Sequence, residues 1–469
     1  MGELTPEKPV RGKGAAGSME PLKGNKPDTQ RLARVLTKQQ RIAELAREHP
    51  QLAFTSLNHH LDEEWLAEAA NRVRVDSAPG VDGKTMADYQ QGLEARLRDL
   101  IDRAKSGQYV APPVKRVRIP KGDGKETRPI GMPTIEDKVL QRAIVMVLEP
   151  IYEQDFEPFS FGFRPERSAH QALDLLWRQI TALGTGWILD VDIRKYFDTL
   201  EHRHLREILE HRVKDGVILR LIGKWLNAGV MEEHQLTYPK EGTPQGGVIS
   251  PLLSNIYLHE VLDTWWVRMV QPVLRGKSFL IRYADDFVMG FELKSDAERV
   301  YRIIFQRFEK FGLRLHPEKT RLVPFGRPEG PQAGDRTQHT FDFLGFTHYW
   351  GKTRKGGWTV MRKTSRQRFN RSLKAIHQWC RINCHEALRI QVEKLGLKLK
   401  GHYGYYGIIG NFRSLQSYRW RVISSWRFWL NRRSREPGSM PWERMHRLLE
   451  IWYIPPARVV HSIFAKPRS

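Results

Sequence analysis

Residues 279–289 read Phe279-Leu280-Ile281-Arg282-Tyr283-Ala284-Asp285-Asp286-Phe287-Val288-Met289. Two apolar runs flank Ala284-Asp285-Asp286, a gap too short for anything but a hairpin tip. The tip presents adjacent acids at the end of a rigid element. A second stretch, Trp187-Ile188-Leu189-Asp190-Val191-Asp192-Ile193, reads as a buried strand with both acids on one face, because strand side chains alternate with a period of two. A buried carboxylate is costly unless it is paired or binds a cation. Either segment alone is compatible with a structural role, since Asp-Asp is a common turn dipeptide. Together, in a basic protein, they predict a two-cation site suited to phosphoryl or nucleotidyl transfer, with the ions roughly 3.5–4 Å apart. Hard oxygen ligands favour Mg²⁺ over zinc or copper.

The chain has 469 residues, with 77 Lys+Arg against 53 Asp+Glu and a formal net charge of +24. This length suits two or three folded units, and 40% hydrophobic residues suffice for a sizeable core, which excludes global disorder. No run approaches the roughly 18 apolar residues that span a bilayer. The N-terminal MGELTPEKPVRGKGAAG lacks the apolar segment of a secretory signal. Cys380 and Cys384 are the only cysteines, too few for a disulfide framework or a paired-cysteine zinc module. A soluble intracellular protein is expected.

The charge is uneven. Residues 351–469 hold 26 Lys+Arg and five acids, a net of +21, whereas the first 350 residues carry 51 basic and 48 acidic residues. Seven of the 14 tryptophans also fall in that last quarter: Trp358, Trp379, Trp420, Trp426, Trp429, Trp442 and Trp452. A solvated basic face is the plainer reading of a charge run, but asymmetry between two parts of one chain favours a nucleic-acid surface. Lys and Arg neutralise phosphates, and aromatics offer faces to unpaired bases.

Residues 1–28 are rich in Gly, Pro and Lys without periodicity and read as a flexible arm. Apolar periodicity predicts helices over about 29–49, 62–75, 85–105, 136–150, 168–183, 202–212, 216–228, 251–270 and 295–312. Strands are predicted at about 115–119 and 127–130, joined by Lys121-Gly122-Asp123-Gly124, and at about 186–193, 232–238, 279–284 and 286–292. A short strand–turn–strand follows around 340–349, and helices dominate from about 364. Hairpins in place of regular βαβ alternation point to the α+β class. Ser250-Pro251 reads as an N-cap followed by Pro at the first helical position. Cys380 and Cys384, four apart on a helix, read as ordinary thiols.

Tyr283-Ala284-Asp285-Asp286 resembles the active-site hairpin of reverse transcriptases, specifically the bacterial group II intron-encoded type, also called maturases. RVDSAPGVDGKT (74–85), PVKRVRIPKGDGKETRPIGMPTIEDKVLQ (113–141) and FGFRPERSAHQAL (161–173) are similar to that family's N-terminal and fingers blocks. LDVDIRKYFDTLEH (189–202), GTPQGGVISPLLSNIYLHEVLD (242–263), LRLHPEKT (313–320) and FDFLGF (341–346) follow in the family's order. LKGHYGYYGIIGNFRSL (399–415) and IPPARVVHSIF (454–464) resemble its thumb and tail, so the likeness covers roughly residues 54–464.

The resemblance implies a right-hand polymerase. Residues 29–185 would form an N-terminal extension and fingers, 186–350 a palm with an antiparallel sheet (fingers and palm interleaved), 351–433 an α-helical thumb or maturase domain, and 434–469 a basic tail with a small DNA-binding region. It implies catalytic Asp192, Asp285 and Asp286. Asp192 and Asp285 would bridge two Mg²⁺ ions, replaceable by Mn²⁺, with Asp286 in support and the Ile193 carbonyl adding an oxygen. Phe197 would lie under the nucleotide sugar and select dNTPs. Lys121 and Arg128 would approach the triphosphate, Gln245 the nascent base pair and Lys319 the nucleotide. Gly242, Gly246 and Gly247 would let that base pair approach the backbone, and Leu344-Gly345-Phe346 would support the primer end. Asp190 is read as a buried structural carboxylate, and Asp198 and His202 as braces of the following helix.

The implied activity copies intron RNA into cDNA from dNTPs, and as a maturase the protein binds intron RNA to promote splicing and mobility. The implied partners are group II intron RNA, an RNA template with a DNA or RNA primer, target DNA and dNTPs, with no membrane and a homodimer left open. The implied place is the bacterial cytoplasm, on the nucleoid when bound to DNA. No cysteine pair follows Cys384, so no endonuclease domain is expected. Two other roles remain compatible: an RNA-binding splicing factor whose polymerase activity is incidental, and a domesticated reverse transcriptase in host defence or repair.

Overall fold

The computed structural model describes residues 26–121, 126–184, 186–232, 235–238, 242, 246–328, 339–353, 355–433 and 440–461. The expected N-terminal arm lies outside them up to residue 25. Helices α1 (Lys26–Glu48), α2 (Glu63–Asn71), α3 (Met86–Gln90), α4 (Leu93–Ser106), α5 (Ile135–Asp155), α6 (Ala169–Leu183), α7 (His202–Glu210), α8 (Gly216–Leu226), α9 (Ser250–Leu258) and α10 (Lys294–Lys310) belong to the body. Its strands are β1 (Val114–Lys121), β2 (Glu126–Met132), β3 (Trp187–Asp192), β4 (Val230–Glu232), β5 (Gln235–Thr237), β6 (Ser278–Tyr283), β7 (Asp286–Phe291), β8 (Arg321–Pro324), β9 (Phe341–Phe343), β10 (Phe346–Lys352) and β11 (Trp358–Thr364). Helices α11 (Arg366–Ile382), α12 (Leu388–Tyr406), α13 (Phe412–Leu430) and α14 (Trp442–Ile451) form a helical C-terminal region.

The spine of the body is α5. It is apolar almost all round, and such a helix must be enclosed; α1 and α2 pack on it. The helix runs to Asp155, past Pro150 and past the expected end at about 150. Pro150 has no N–H to give the Met146 carbonyl, and the Gln39 side-chain amide of α1 donates to that oxygen instead (2.9 Å). At the other end Thr134 caps the helix by accepting from the Asp137 N–H.

Asp137 is itself buried. It accepts from the Tyr109 hydroxyl and from the Trp225 indole (3.1 Å), and burial pushes its carboxyl up to about 7, against the pull of that indole. The folded protein therefore holds a proton that the unfolded chain releases above its ordinary carboxylate pKa of about 3.9. Stability is expected to fall as pH rises from about 4 to about 7 and then to level off, as far as this group contributes. Asp137→Asn should flatten that part of the profile, measurable by urea unfolding at several pH values.

The central sheet has the order β6-β7-β3-β8, antiparallel throughout, with Asp192 paired to Asp286. It is buried on both faces. Leu189, Val191, Phe287 and Met289 face α10, while Ile188, Ile281 and Val288 pack on Leu173 and Leu176 of α6 and on Phe341 and Phe346. A second sheet, β11-β10-β9, lies on that latter side, and a third, β2-β1-β4-β5, contains a parallel pairing, β1 with β4.

Several expectations need correction. The helix expected over 85–105 breaks at Gly92, which is left-handed (φ 69°). The strand expected at 232–238 is the hairpin β4–β5. Beyond Leu258 the helix expected to 270 widens into π-type turns over His259–Thr264 and Trp266–Val270. Strand β8 is too short to show a pattern, and β11 was hidden because its inward position 362 is a buried arginine, which donates to the Leu173 carbonyl (3.3 Å). Ser250 is the first residue of α9 rather than its N-cap; the Gln141 side chain accepts from the Val248 and Ile249 N–H groups there (2.8 and 3.3 Å). Cys384 lies beyond the end of α11; both thiols are buried and unbonded, and burial pushes Cys380 up to about 12.

The helical C-terminal region has its own core of Leu395, Leu399, Tyr403, Leu415, Tyr418, Val422 and Trp426. Most of its tryptophans are spent there. Trp426 is fully buried, and Trp379, Trp429, Trp442 and Trp452 pack partly on the same core. The exposed aromatics on α13 are Phe412, Trp420 and Phe428. Among the described residues no helix is long and apolar enough to cross a membrane.

Candidate active site

Strands β6 and β7 end on the pair Tyr283–Asp286, which leaves Ala284 and Asp285 as a two-residue turn. Because β3 lies beside β7, Asp192 sits directly across from Asp286, and Asp190 sits across from Val288. Directly opposed side chains on a strand pair have Cβ atoms about 4.5–5.5 Å apart, and like charges there repel. Burial pushes the Asp286 carboxyl up to about 7, with Asp190, Asp285 and Asp192 adding to the rise. The backbone of Leu344 opposes that rise. Burial also raises Asp285, held back by the positive charge of Arg128. Asp190 is raised to about 6 by burial, against a salt bridge from Arg321 (3.1 Å).

The sheet end is thus short of positive charge. Among the described residues no three His, Cys, Asp or Glu side chains already form a closed ligand set. The Lys319 ammonium stands 3.0 Å from Asp192. The donor chemistry suits hard divalent ions: Asp192, Asp285 and Asp286 offer carboxylate oxygens, and the Ile193 carbonyl adjoins them. The Asp192 carbonyl is already taken by the His316 N–H (2.8 Å). Added positive charge would relieve the mutual repulsion that raises Asp286.

The tip is held in a shape that alanine avoids. Ala284 has φ 58°, a left-handed conformation that costs a non-glycine residue about 1–2 kcal/mol. Its carbonyl accepts from Arg282 Nη1 (3.2 Å). Arg282 and Asp263 are both fully buried, and Arg282 Nε donates to the Asp263 carboxylate (2.8 Å) while Nη1 also donates to Asn255 Oδ1 (2.9 Å). The π-type winding at His259–Thr264 carries Asp263 there. Asn255 Nδ2 donates to the Gly162 carbonyl (2.6 Å), and Gly162 lies so close to the tip that a Cβ would stand 2.2 Å from the Ala284 nitrogen. Sequence reasoning missed Gly162, Asn255, Asp263 and Arg282. Their only trace is a charged residue inside the apolar run of β6, with an acid inside the apolar helix upstream.

The structure brings Asp192, Asp285, Asp286 and Lys319 to one end of the sheet, with the charge of Arg128 acting on Asp285 from β2. Phe197 is buried in the turn after β3, its ring edge-on to Tyr196. Gln245 and the Lys121 side chain lie outside the described residues. Two of the glycines around Gln245 lie against protein backbone. A Cβ on Gly242 would stand 2.8 Å from the Phe197 carbonyl oxygen, and one on Gly246 would stand 2.4 Å from that of Gly131, so protein backbone takes the space. His202 braces this loop, its Nε2 2.6 Å from the Gly242 carbonyl oxygen, rather than its own helix; Asp198 is exposed and the N-terminal residue of α7 has no side-chain cap.

A family model described as reverse transcriptase (RNA-dependent DNA polymerase) matches residues 119–348, which include the whole central sheet. The chain is similar to Protein YkfC of Escherichia coli K12, 37% identical over 322 residues, 61% of this chain and 83% of that protein. It is similar to the group II intron-encoded protein LtrA of Lactococcus lactis subsp. cremoris, 38% identical over 210 residues, 45% of this chain and 31% of LtrA. It also resembles nuclear intron maturase 4, mitochondrial, of Arabidopsis thaliana, 30% identical over 128 residues, 27% of this chain and 16% of that protein.

Proposed function

We infer the reaction from kinship and geometry together: the chain belongs to the reverse transcriptases of the group II intron-encoded type. It is an RNA-directed DNA polymerase acting on nucleic acid, and the domain family uses divalent metal ions. The observation that carries the reading is the meeting of Asp192, Asp285 and Asp286 at one end of an antiparallel sheet inside the matched residues.

In the proposed reaction a primer 3′-hydroxyl attacks the α-phosphate of a dNTP paired to an RNA template, and pyrophosphate leaves. Two Mg²⁺ ions held by Asp192, Asp285 and Asp286 with the Ile193 carbonyl, Mn²⁺ substituting, would neutralise charge on the attacking and leaving oxygens. Catalysis is otherwise positioning and charge complementarity. Arg128 and Lys121 meet the β and γ phosphates, and Lys319 turns from Asp192 to the nucleotide. Phe197 closes the space that a 2′-hydroxyl needs, and Gln245 abuts the nascent pair. Residues 29–185 act as extension and fingers, 186–350 as palm and 351–433 as thumb and maturase domain, with a DNA-binding tail at 434–469. A primer-extension assay with an RNA template, a DNA primer, dNTPs and Mg²⁺ tests the reading. Folded protein that incorporates no dNTP would sink it.

The same protein binds group II intron RNA to promote splicing and mobility. Support comes from α13, whose exposed Phe412, Trp420 and Phe428 stand among Arg413, Arg421 and Arg432, the last over the Phe428 ring at 3.7 Å. Such a face suits unpaired bases and phosphates. RNA affinity is expected to fall steeply with salt, by about 0.7 in log–log slope per phosphate neutralised on a single strand. Replacing Arg413, Arg421 and Arg432 together by glutamine should lower the slope by about 2. An unchanged slope in filter binding at several salt concentrations would place the RNA elsewhere.

A further inference from the structure

The loop between α5 and α6 runs along the outer edge of β6 and arrives at the hairpin tip. The Arg282 N–H donates to the Phe159 carbonyl (3.0 Å), and the Phe161 N–H donates to the Arg282 carbonyl (2.9 Å). Phe161 is buried in the same core as Ile281 and Val288. Gly162 follows, its Cα pressed on the Tyr283–Ala284 peptide and its carbonyl held by Asn255. The next residue, Phe163, is different on two counts. Its backbone is left-handed (φ 58°), a conformation that crowds Cβ against the following carbonyl oxygen and is an outlier for a bulky residue. The residue is also 58% exposed, between a buried Gly162 and a buried Arg164.

The loop is clamped on both sides of this ring. Before it, Gly162 stands against the tip. After it, Arg164 Nε and Nη2 donate to the Glu153 carboxylate (3.1 and 2.9 Å), and Nη1 donates to the Glu157 and Ser160 carbonyls (2.8 Å each). The Arg164 guanidinium lies over the Phe156 ring at 5.1 Å, and Arg167 lies over the Phe161 ring at 5.5 Å. An exposed apolar side chain alone needs no explanation. A strained backbone that displays such a ring does, because strain persists where the surroundings enforce it, and such residues cluster at functional sites. Phe163 is one peptide, about 3.8 Å between Cα atoms, from the glycine that touches the tip. The fold gains little from a ring left in water. A bound nucleic acid can cover it.

We propose that Phe163 contacts the primer–template duplex beside the hairpin tip, its ring lying against sugars and base edges near the growing end. The proposal rests on the polymerase reading for the identity of that duplex. A phenyl ring carries no charge, so this contact releases no counterion. It has no hydrogen-bonding group to read a base, so it is indifferent to sequence. Both properties set it apart from the arginines of α13, which act on phosphates.

The test uses the full-length protein and its variants Phe163→Ala, Phe163→Gly and Phe163→Tyr. The probe is an RNA template annealed to a DNA primer, with the same RNA unannealed for comparison. Three quantities are read: affinity for each probe at several salt concentrations without dNTP, primer extension, and melting temperature. Phe163→Ala and Phe163→Gly should weaken duplex binding on the order of tenfold, within the range one ring–base contact carries, and leave the salt slope unchanged. Their affinity for unannealed RNA should stay within about twofold of wild type. Phe163→Tyr keeps the ring and should bind the duplex as wild type does. All three should melt close to wild type, since the ring is exposed and glycine accepts the left-handed backbone. Wild-type duplex affinity in both Phe163→Ala and Phe163→Gly would overturn the proposal. So would an equal loss on unannealed RNA, which marks a general RNA surface, or a loss that merely follows a lowered melting temperature in both. A wild type that extends no primer, with duplex binding still weakened in Phe163→Ala, would sink the polymerase reading and leave the contact standing.

Discussion

Asp285→Ala and Asp285→Asn are each expected to lower dNTP incorporation on the order of a thousandfold or more, because a missing carboxylate removes charge that only the reaction needs. The same substitutions should not weaken the fold. Burial raises the Asp285 carboxyl, and Asp192 adds to the rise, so at neutral pH its ionised form costs the folded state free energy when no cation is bound. Removing that charge should leave the melting temperature in chelator unchanged or higher, a separation of function from stability. Primer extension and thermal melting on the same preparations check both halves. Substantial activity in Asp285→Asn would contradict the proposed role, and a large drop in melting temperature would contradict the electrostatics.

Asp263→Ala carries the largest expected cost in stability, about 3–5 kcal/mol, because it strands the fully buried Arg282 guanidinium. Burial alone would raise the Asp263 carboxyl, but Arg282 and His259 outweigh it and hold it below the usual carboxylate range. Its contribution is therefore present above the ordinary carboxylate pKa of about 3.9 and lost as pH falls through the lower, folded value. Urea unfolding should show the loss at neutral pH. The variant should also loosen the hairpin tip, since Arg282 holds the Ala284 carbonyl. A variant as stable as wild type would show that water or rearrangement reaches the pair.

How much of this could be read beforehand follows from the range of each interaction. The period of two places Asp190 and Asp192 on one face, and the short gap between apolar runs makes Asp285 a tip residue; both are local. Arg282 is equally visible as a letter, but its partner Asp263 comes from a helix whose turns widen just there, and no periodicity announces that. Gly162 matters only because another segment's backbone arrives against it. The tryptophans misled for a related reason: a count of rings does not distinguish a core ring such as Trp426 from an open one such as Trp420. Buried Arg362 hid β11 by interrupting its apolar alternation.

The Gln39 amide on the Met146 carbonyl also has a temporal meaning. Those residues lie 107 positions apart, and the helix carrying the proline gap is made long after the helix that repairs it. At about 5–20 residues per second, α1 leaves the ribosome several seconds before Met146 exists, with Val35, Ile42 and Ala46 still uncovered. Until they meet, α5 has an open carbonyl at Met146, one turn before Pro150, so its last turn should be among the later parts of the body to become protected from exchange during synthesis or refolding. The order of manufacture makes the N-terminal helix a waiting template for the core helix that follows it.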